Sequence, residues 1–131
     1  MNLTNHSYFN LDGCGTNPVS KIDDHLLLLH SKSFAAVDNT GNGFLVNLFL
    51  SVYARFKGIP TGIHDIAEGS AFDFSTWKRM GDQIDEPLNE QLIFQKGYDH
   101  SFKIDKQNVD DLVLAAQVKS AKSGRVLEVN T

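Results

Sequence analysis

Short apolar runs separated by turn-forming clusters make up most of this chain. The runs are rich in leucine, isoleucine, valine and phenylalanine, and glycine, asparagine and aspartate recur between them. Runs of this length with such boundaries are typical of β-strands joined by tight turns. We therefore expect strands over residues 26–30, 59–66, 92–94, 101–104, 112–118 and 125–129.

Two of these runs indicate a β-hairpin. Residues 112–118 (LVLAAQV) are compatible with a short helix by composition, but a Ser-Gly turn at 123–124 and a second β-branched run follow them. That arrangement favours two arms of a hairpin. Only residues 74–80 and 85–94 have a locally helical pattern. The prediction is an all-β fold in which antiparallel sheets pack as a sandwich.

One segment departs from this pattern. Residues 44–56 (FLVNLFLSVYARF) are almost continuously apolar or aromatic. The segment is shorter than the roughly 20 residues that a membrane span needs, and Asn47 and Arg55 interrupt it. Taken alone, it predicts a buried strand or a core helix.

The composition is that of one globular domain. The chain has 131 residues, of which 41% are hydrophobic and 21% charged, so it is too short for two domains and too apolar for a disordered tail. A net charge of −4 argues against nucleic-acid and anionic-membrane partners. Cys14 is the only cysteine, which excludes an internal disulfide or a thiolate metal cluster and fits a reducing compartment. Because no secretory leader opens the chain, we expect a cytoplasmic protein.

His6 stands out among the five histidines because of its neighbours. It lies in TNHSYFNL (residues 4–11), where a polar cluster changes to aromatic and apolar residues. Such a segment would hold an imidazole at the mouth of a sandwich while Tyr8 and Phe9 anchor the strand. An imidazole, with an ordinary pKa of about 6.5, can act as acid or base near neutrality. The alternative is a surface or hydrogen-bonded histidine without a chemical role.

Asp99 is the second candidate, in the run GYDHSF (residues 97–102). Its carboxylate follows a glycine turn, so it can cap that turn or accept hydrogen bonds from a polyhydroxylated ligand. Aromatic faces beside carboxylates and imidazoles suit sugars, whose C–H faces stack while their hydroxyls need partners. Metal binding has less support, because His25 and His30 are five residues apart and no His-Glu-x-x-His occurs. The sequence also lacks a Gly-x-Ser-x-Gly elbow, a P-loop and a dinucleotide fingerprint.

TNHSYFNL is followed along the chain by IPTG at 59–62, FDF at 72–74 and GYDHSF. In this order and rough spacing, the four motifs resemble those of the aldose 1-epimerases, the galactose mutarotases. The resemblance implies a large antiparallel β-sandwich of the mutarotase type. It also implies interconversion of the α and β anomers of aldohexoses such as galactose and glucose, without a cofactor or metal. His6 matches the family's general-acid histidine, and Asp99 matches its sugar-binding aspartate.

The resemblance also implies missing parts. Members of that family are considerably longer, and this chain has no match for their Asn-Arg pair, second catalytic histidine, substrate glutamine or general-base glutamate. Glu68, Glu86, Glu90 and Glu128 match none of these by motif. We therefore expect a truncated chain that does not catalyse appreciably by itself. The alternatives are a non-catalytic carbohydrate-binding β-sandwich and a partial gene product without a function of its own.

The partial domain expected over residues 1–131 is interrupted by an atypical insertion at about 41–57. Family members read Val-Asp-x-x-x-Ile-Pro-Thr-Gly across this loop, and deleting residues 41–57 gives VDNTGIPTG, which restores that spacing. We hypothesise that the insertion is a translated intron, and the alternative is a genuine loop insertion. We expect the segment to be poorly packed or to form an extra element outside the sandwich.

Overall fold

The computed structural model describes residues 6–14, 21–37, 60–108 and 110–131. The predictions for the insertion at 41–57 and for the apolar run 44–56 lie outside these described residues, as do Thr4 and Asn5 of the first motif. Within the described ranges, no helix combines the length and the hydropathy that crossing a lipid bilayer requires.

Most of the regular structure in the described ranges is β-strand. The helical elements there are short: one turn of 3-10 helix at Met80–Asp82, and α1 at Glu90–Gln95. The strands are β1 (His25–Leu29), β2 (Ser31–Val37), β3 (Pro60–Asp65), β4 (Lys78–Arg79), β5 (Phe102–Ile104), β6 (Leu114–Ser120) and β7 (Val126–Asn130).

These strands form two antiparallel sheets. One sheet has the order β4-β1-β6-β7 and the other the order β3-β2-β5. In the second sheet, Phe34 of the central strand pairs with His64 of β3 on one side and with Phe102 of β5 on the other. Directly paired residues point to the same face of a sheet, so these three side chains lie next to one another.

The predicted all-β fold with antiparallel sheets is confirmed. The runs 26–30, 59–66 and 101–104 occur as β1, β3 and β5, and the predicted hairpin occurs as β6 and β7. Residues 92–94 do not form a strand, because they belong to α1, in line with the helical pattern over 85–94. The helix expected over 74–80 is wrong, since that stretch is a loop running into β4. β2 is a strand that the pattern did not predict.

α1 is short and fixed at both ends. The side chain of Asn89 accepts hydrogen bonds from the backbone N–H groups of Gln91 (3.1 Å) and Leu92 (3.3 Å), as an N-cap does. At the other end, Lys96 is left-handed with φ 56°, and the N–H of Gly97 returns to the Leu92 carbonyl at 3.0 Å. The helix therefore ends directly before the motif that carries Asp99.

The core packs against one face of the second sheet. The rings of Phe34 and Phe72 are stacked with centroids 4.2 Å apart and planes 6° from parallel. The ring of Tyr98 forms T-shaped contacts with those of Phe72 and Phe74, and its hydroxyl donates to the Ala71 carbonyl at 2.9 Å. Burial, followed by the charge of a nearby aspartate, raises the pKa of Tyr98 to about 12. Both phenylalanines of the FDF motif are thus core residues.

Asp73, between those two phenylalanines, organises the loop that carries them. Its carboxylate accepts hydrogen bonds from the hydroxyl and N–H of Ser75 (2.7 and 3.1 Å) and from the N–H of Gly69 (2.8 Å). These hydrogen bonds, that of the Ser75 hydroxyl first, lower the pKa of Asp73. The side chain of Lys78 closes the loop by donating to the Ser70 carbonyl at 2.7 Å. FDF is therefore a motif of the scaffold rather than of the chemistry.

Candidate functional site

His6 lies in an irregular, exposed stretch outside both sheets. Its imidazole stacks on the ring of Tyr8, with centroids 5.0 Å apart and planes 24° from parallel. Tyr8 is 87% exposed and Phe9 61% exposed. The expectation that these two aromatic residues anchor a strand is therefore wrong, because neither sheet of the described ranges includes them and their surfaces face solvent. The imidazole and the aromatic faces beside it are accessible to a ligand.

Asp99 lies between the end of α1 and the start of β5, on the surface. Gly97 before it has φ +129°, a conformation that residues with a Cβ rarely adopt, so the turn into the motif needs glycine. Asp99 accepts no hydrogen bond at its carboxylate from the described residues, and the turn-cap alternative has no contact to support it. Its backbone N–H donates to Nδ1 of His100 at 3.3 Å. The side chain of His100 thus holds the backbone from which the Asp99 carboxylate projects.

His100 is a residue of this region that the sequence analysis did not single out. Its half-buried ring forms T-shaped contacts with those of Phe72 (centroids 4.8 Å apart, planes at 80°) and Phe34 (5.6 Å, 84°). Burial lowers the pKa of His100, and the charge of Asp99 opposes that shift. Since Nδ1 accepts a hydrogen bond, the neutral ring carries its proton on Nε2, which is buried without a hydrogen-bond partner among the described residues. Its position directly after Asp99 in GYDHSF was the sequence feature that could have singled it out.

The structure does not join the two predicted site residues to each other. Among the described residues, His6 contacts Tyr8 and Asp99 contacts His100, and no hydrogen bond, ion pair or ring contact links the two sets. No hydrogen bond or ion pair joins a described glutamate to the His6 ring either. Glu128, for example, accepts a hydrogen bond from Gln117 on the neighbouring strand. The described chain therefore presents an accessible imidazole and an accessible carboxylate, each on its own support.

The part of the chain that the structure describes contains no group of three or more histidine, cysteine, aspartate or glutamate side chains placed to hold a metal ion. Cys14, the single cysteine, is exposed and free.

Comparison with known proteins assigns the family. A family model described as aldose 1-epimerase matches residues 1–131, the whole chain. This chain belongs to the aldose 1-epimerase family. The resemblance read from TNHSYFNL, IPTG, FDF and GYDHSF is thereby confirmed at the level of the family.

The relatives of this chain are much longer than the chain itself. The galactose mutarotases of Mus musculus and Sus scrofa are 33% and 34% identical to it over 131 residues, which is 100% of this chain and 30% of each relative. The aldose 1-epimerase of Escherichia coli (strain K12) is 30% identical over 132 residues, 31% of its length. The chain thus spans about 30% of the length of the curated relatives it matches.

A solved structure supports the same fold. The crystal structure of a galactose 1-epimerase from Lactobacillus acidophilus NCFM matches with a TM-score of 0.50 and 26% sequence identity. The match covers 76% of this epimerase-family chain and 23% of that protein. The two sheets described above are therefore similar to part of a larger epimerase fold.

Proposed function

We propose that this chain is a part of an aldose 1-epimerase, the part that supplies the acid His6 and the sugar-binding carboxylate Asp99. The observation that carries the proposal is the family match over residues 1–131, which includes both motif residues. The substrate is an aldohexose such as galactose or glucose. The compartment we propose is the cytoplasm, because the single cysteine fits reducing surroundings.

The residue types suit the ring opening of a hemiacetal. A base takes the proton from the C1 hydroxyl while an acid protonates the ring oxygen, and the freed carbonyl rotates before the ring closes on its other face. The return step reverses the two roles. Each positioned proton transfer contributes about 10²–10⁴ in rate. In this proposal His6 is the acid, and Asp99 accepts hydrogen bonds from sugar hydroxyls.

The surroundings of both residues agree with these roles. The His6 ring is exposed and stacked on the exposed ring of Tyr8. An exposed aromatic face beside the acid offers a surface for the C–H face of a sugar. The carboxylate of Asp99 has no hydrogen-bond donor among the described residues, so its acceptor sites are available to hydroxyl groups.

The base is the part that this chain does not supply in our proposal. Glu68, Glu86, Glu90 and Glu128 match no family motif, and none of them forms a hydrogen bond or ion pair with His6 among the described residues. Since the chain spans about 30% of the length of its relatives, we assign the base to the remainder of such a protein. We expect the chain alone to leave the mutarotation rate at that of buffer.

A second candidate function is binding of a carbohydrate without catalysis. The exposed rings of Tyr8 and Phe9 favour it, as does the Asp99 carboxylate, which accepts no hydrogen bond from the described residues. These features serve binding and need no base. The two functions differ in whether replacing the acid changes a rate.

The domain we propose is a partial mutarotase-like β-sandwich over residues 1–131, interrupted at about 41–57. Deleting those residues restores the family spacing before IPTG, which agrees with a retained intron. A loop insertion would give the same spacing, and the splicing of the transcripts distinguishes the two.

Complementation tests the catalytic proposal. The chain is combined with the remainder of the E. coli aldose 1-epimerase, and the mutarotation of freshly dissolved α-galactose is followed by polarimetry. We expect acceleration that His6→Asn lowers by about 10²–10⁴. Asp99→Asn should weaken binding and turnover together, because sugar hydroxyls lose a partner. His30→Ala, at an exposed histidine outside both motifs, is the matched control and should leave the rate unchanged.

Three outcomes would correct the proposal. An unchanged rate in His6→Asn would remove the acid assignment. Galactose binding without acceleration would favour the non-catalytic function. Acceleration by the chain alone, abolished in His6→Asn, would show that one of its own glutamates is the base.

A further inference from the structure

The segment that follows His6 ends in a tight turn. The N–H of Gly13 donates to both the backbone carbonyl (3.2 Å) and the side-chain carbonyl (3.1 Å) of Asn10, and the Asn10 amide donates back to the Gly13 carbonyl at 3.0 Å. Gly13 has φ +84°, a conformation that favours glycine. The turn therefore fixes the backbone between Asn10 and Gly13, directly after the exposed stretch that carries His6.

Side chains of the β6–β7 hairpin form hydrogen bonds with this turn on its exposed side. The carbonyl of Leu11 accepts hydrogen bonds from the Ser123 hydroxyl (2.6 Å) and from Nη1 of Arg125 (2.8 Å). The guanidinium also packs on Gly13, where a Cβ would lie 2.9 Å from Nη1. The hydroxyl of Ser123 accepts the N–H of Arg125 at 3.2 Å, so the two donors support each other.

A buried contact holds the same turn from the sheet side. Asp12, with 5% of its side chain exposed, accepts a hydrogen bond from the hydroxyl of Ser120, which is fully buried. His25 pairs with Ser120 across β1 and β6, and its Nε2 lies 3.8 Å from the Asp12 carboxylate. The Ser120 hydroxyl also accepts a hydrogen bond from the N–H of Ser123 at 2.9 Å. This bond links the buried contact at Asp12 to the hairpin contact at Leu11.

We propose that Ser120, Ser123 and Arg125 form a clamp that positions His6. We use the term clamp for these three residues, which hold the turn 11–13. The clamp sets the direction of the exposed stretch 6–10, and Arg125 is its principal positioning residue. In the described ranges His6 lies outside both sheets, and we infer that its orientation follows the direction in which this anchored turn leads the chain. The proposal rests on the proposed function only in naming His6 the acid.

Hydrogen exchange measured by NMR on the 131-residue chain tests the clamp without sugar or catalysis. The Gly13 N–H reports the turn, and the His30 N–H, bonded to the Ala115 carbonyl at 2.9 Å, reports the sheet. We expect Arg125→Gln to accelerate exchange at Gly13 about tenfold, the effect of losing one charge-assisted hydrogen bond, and to leave His30 unchanged. The ring signals of His6 should shift in the same variant.

Two further variants make the result specific. Arg125→Lys should restore part of the protection at Gly13, because an ammonium group donates to the Leu11 carbonyl but does not pack on Gly13. Arg79→Gln is the matched control, since Arg79 pairs with Asp24 and Asp82 instead.

The remaining outcomes overturn the proposal, except a loss of the whole fold, for which a second variant decides. Unchanged exchange at Gly13 would show that the turn does not need Arg125. Equal acceleration at Gly13 and His30 would show a loss of the whole fold, and Ser123→Ala, which removes the other donor to the same carbonyl, then decides with the same two amides. Accelerated exchange with unmoved His6 signals would separate the clamp from the positioning of His6. A failed complementation assay would leave these rates untouched, so the two proposals fail independently.

Discussion

Replacing Phe72 by leucine should weaken the core that supports the Asp99 region. Phe72 is 3% exposed, and its ring lies 4.2 Å from Phe34, 4.8 Å from His100 and 5.6 Å from Tyr98 between centroids. Leucine keeps most of the apolar contact but none of these ring pairs, each of which stabilises by about 0.5–1.5 kcal/mol beyond burial. With partial repacking, we expect the free energy of unfolding to fall by about 1–3 kcal/mol.

The same substitution should change the titration of His100. Burial lowers the pKa of this imidazole in the folded chain. Because the folded pKa is below the unfolded one, the neutral ring stabilises the fold above about pH 6.5, and this stabilisation is lost as the pH falls through the folded pKa. Leucine at position 72 opens the ring to water, so the pKa of His100 should rise and the loss of stability in acid should become smaller.

Two measurements check this prediction. Urea unfolding followed by the fluorescence of Trp77, the single tryptophan, gives the free energy of unfolding. An NMR pH titration gives the pKa of His100. Phe9→Leu is the matched control, because Phe9 is 61% exposed and should change the stability by less than about 0.5 kcal/mol. Equal losses in the two variants, or an unmoved pKa of His100 in Phe72→Leu, would refute the packing argument.

Three further predictions concern other parts of the chain. The raised pKa of Tyr98, about 12, means that stability holds below about pH 10 and is lost as the pH rises through 12. Tyr98→Phe should abolish that alkaline loss while costing about 0.5–1.5 kcal/mol at neutral pH, as urea unfolding at several pH values will show. The pKa of Asp73 is lowered in the folded chain, so its carboxylate stabilises the fold at pH values above the ordinary aspartate pKa. This stabilisation is lost as the pH falls through the folded pKa. Asp73→Asn should therefore flatten the acid limb of the stability curve, and an unchanged limb would contradict this. Finally, sequencing of transcripts should find a spliced form lacking the codons for residues 41–57, and retention in every transcript would end the intron hypothesis.

Local pattern predicted the strands whose residues and turns agree with each other. The β6–β7 hairpin has a glycine with φ +72° at position 124, between runs that favour strands. Four consecutive leucines mark β1 in the same way. In both cases the information lies within a few residues, so the sequence was sufficient.

The sequence was insufficient where distant contacts decide the structure. β2 begins with Ser-Lys-Ser and contains two alanines, which favour a strand only weakly. It is a strand because β3 and β5 pair with it on both sides. Over 74–80, the helical pattern does not prevail, because Phe74 is buried against Tyr98 and the Lys78 side chain bonds the carbonyls of the preceding loop.

The candidate site, like the fold, could be predicted from the sequence only in part. The motifs were enough to single out His6 and Asp99, since each stands among residues of unusual composition. Nothing local shows that His100 is buried against Phe34 and Phe72, because those rings come from other elements. Nor does the TNHSYFNL pattern show that Tyr8 and Phe9 are exposed, since that depends on which elements reach them.

The most direct test of the central claim asks whether His6 and Asp99 serve one sugar. Isotope-labelled chain is combined with the unlabelled remainder of the E. coli aldose 1-epimerase, and galactose is titrated in while the His6 ring and the Asp99 amide are followed by NMR. We predict shifts at both residues with one common Kd, lost in Asp99→Asn, and no shifts with galactitol, which cannot form the hemiacetal ring. Shifts confined to one of the two residues, or two different Kd values, would contradict the account.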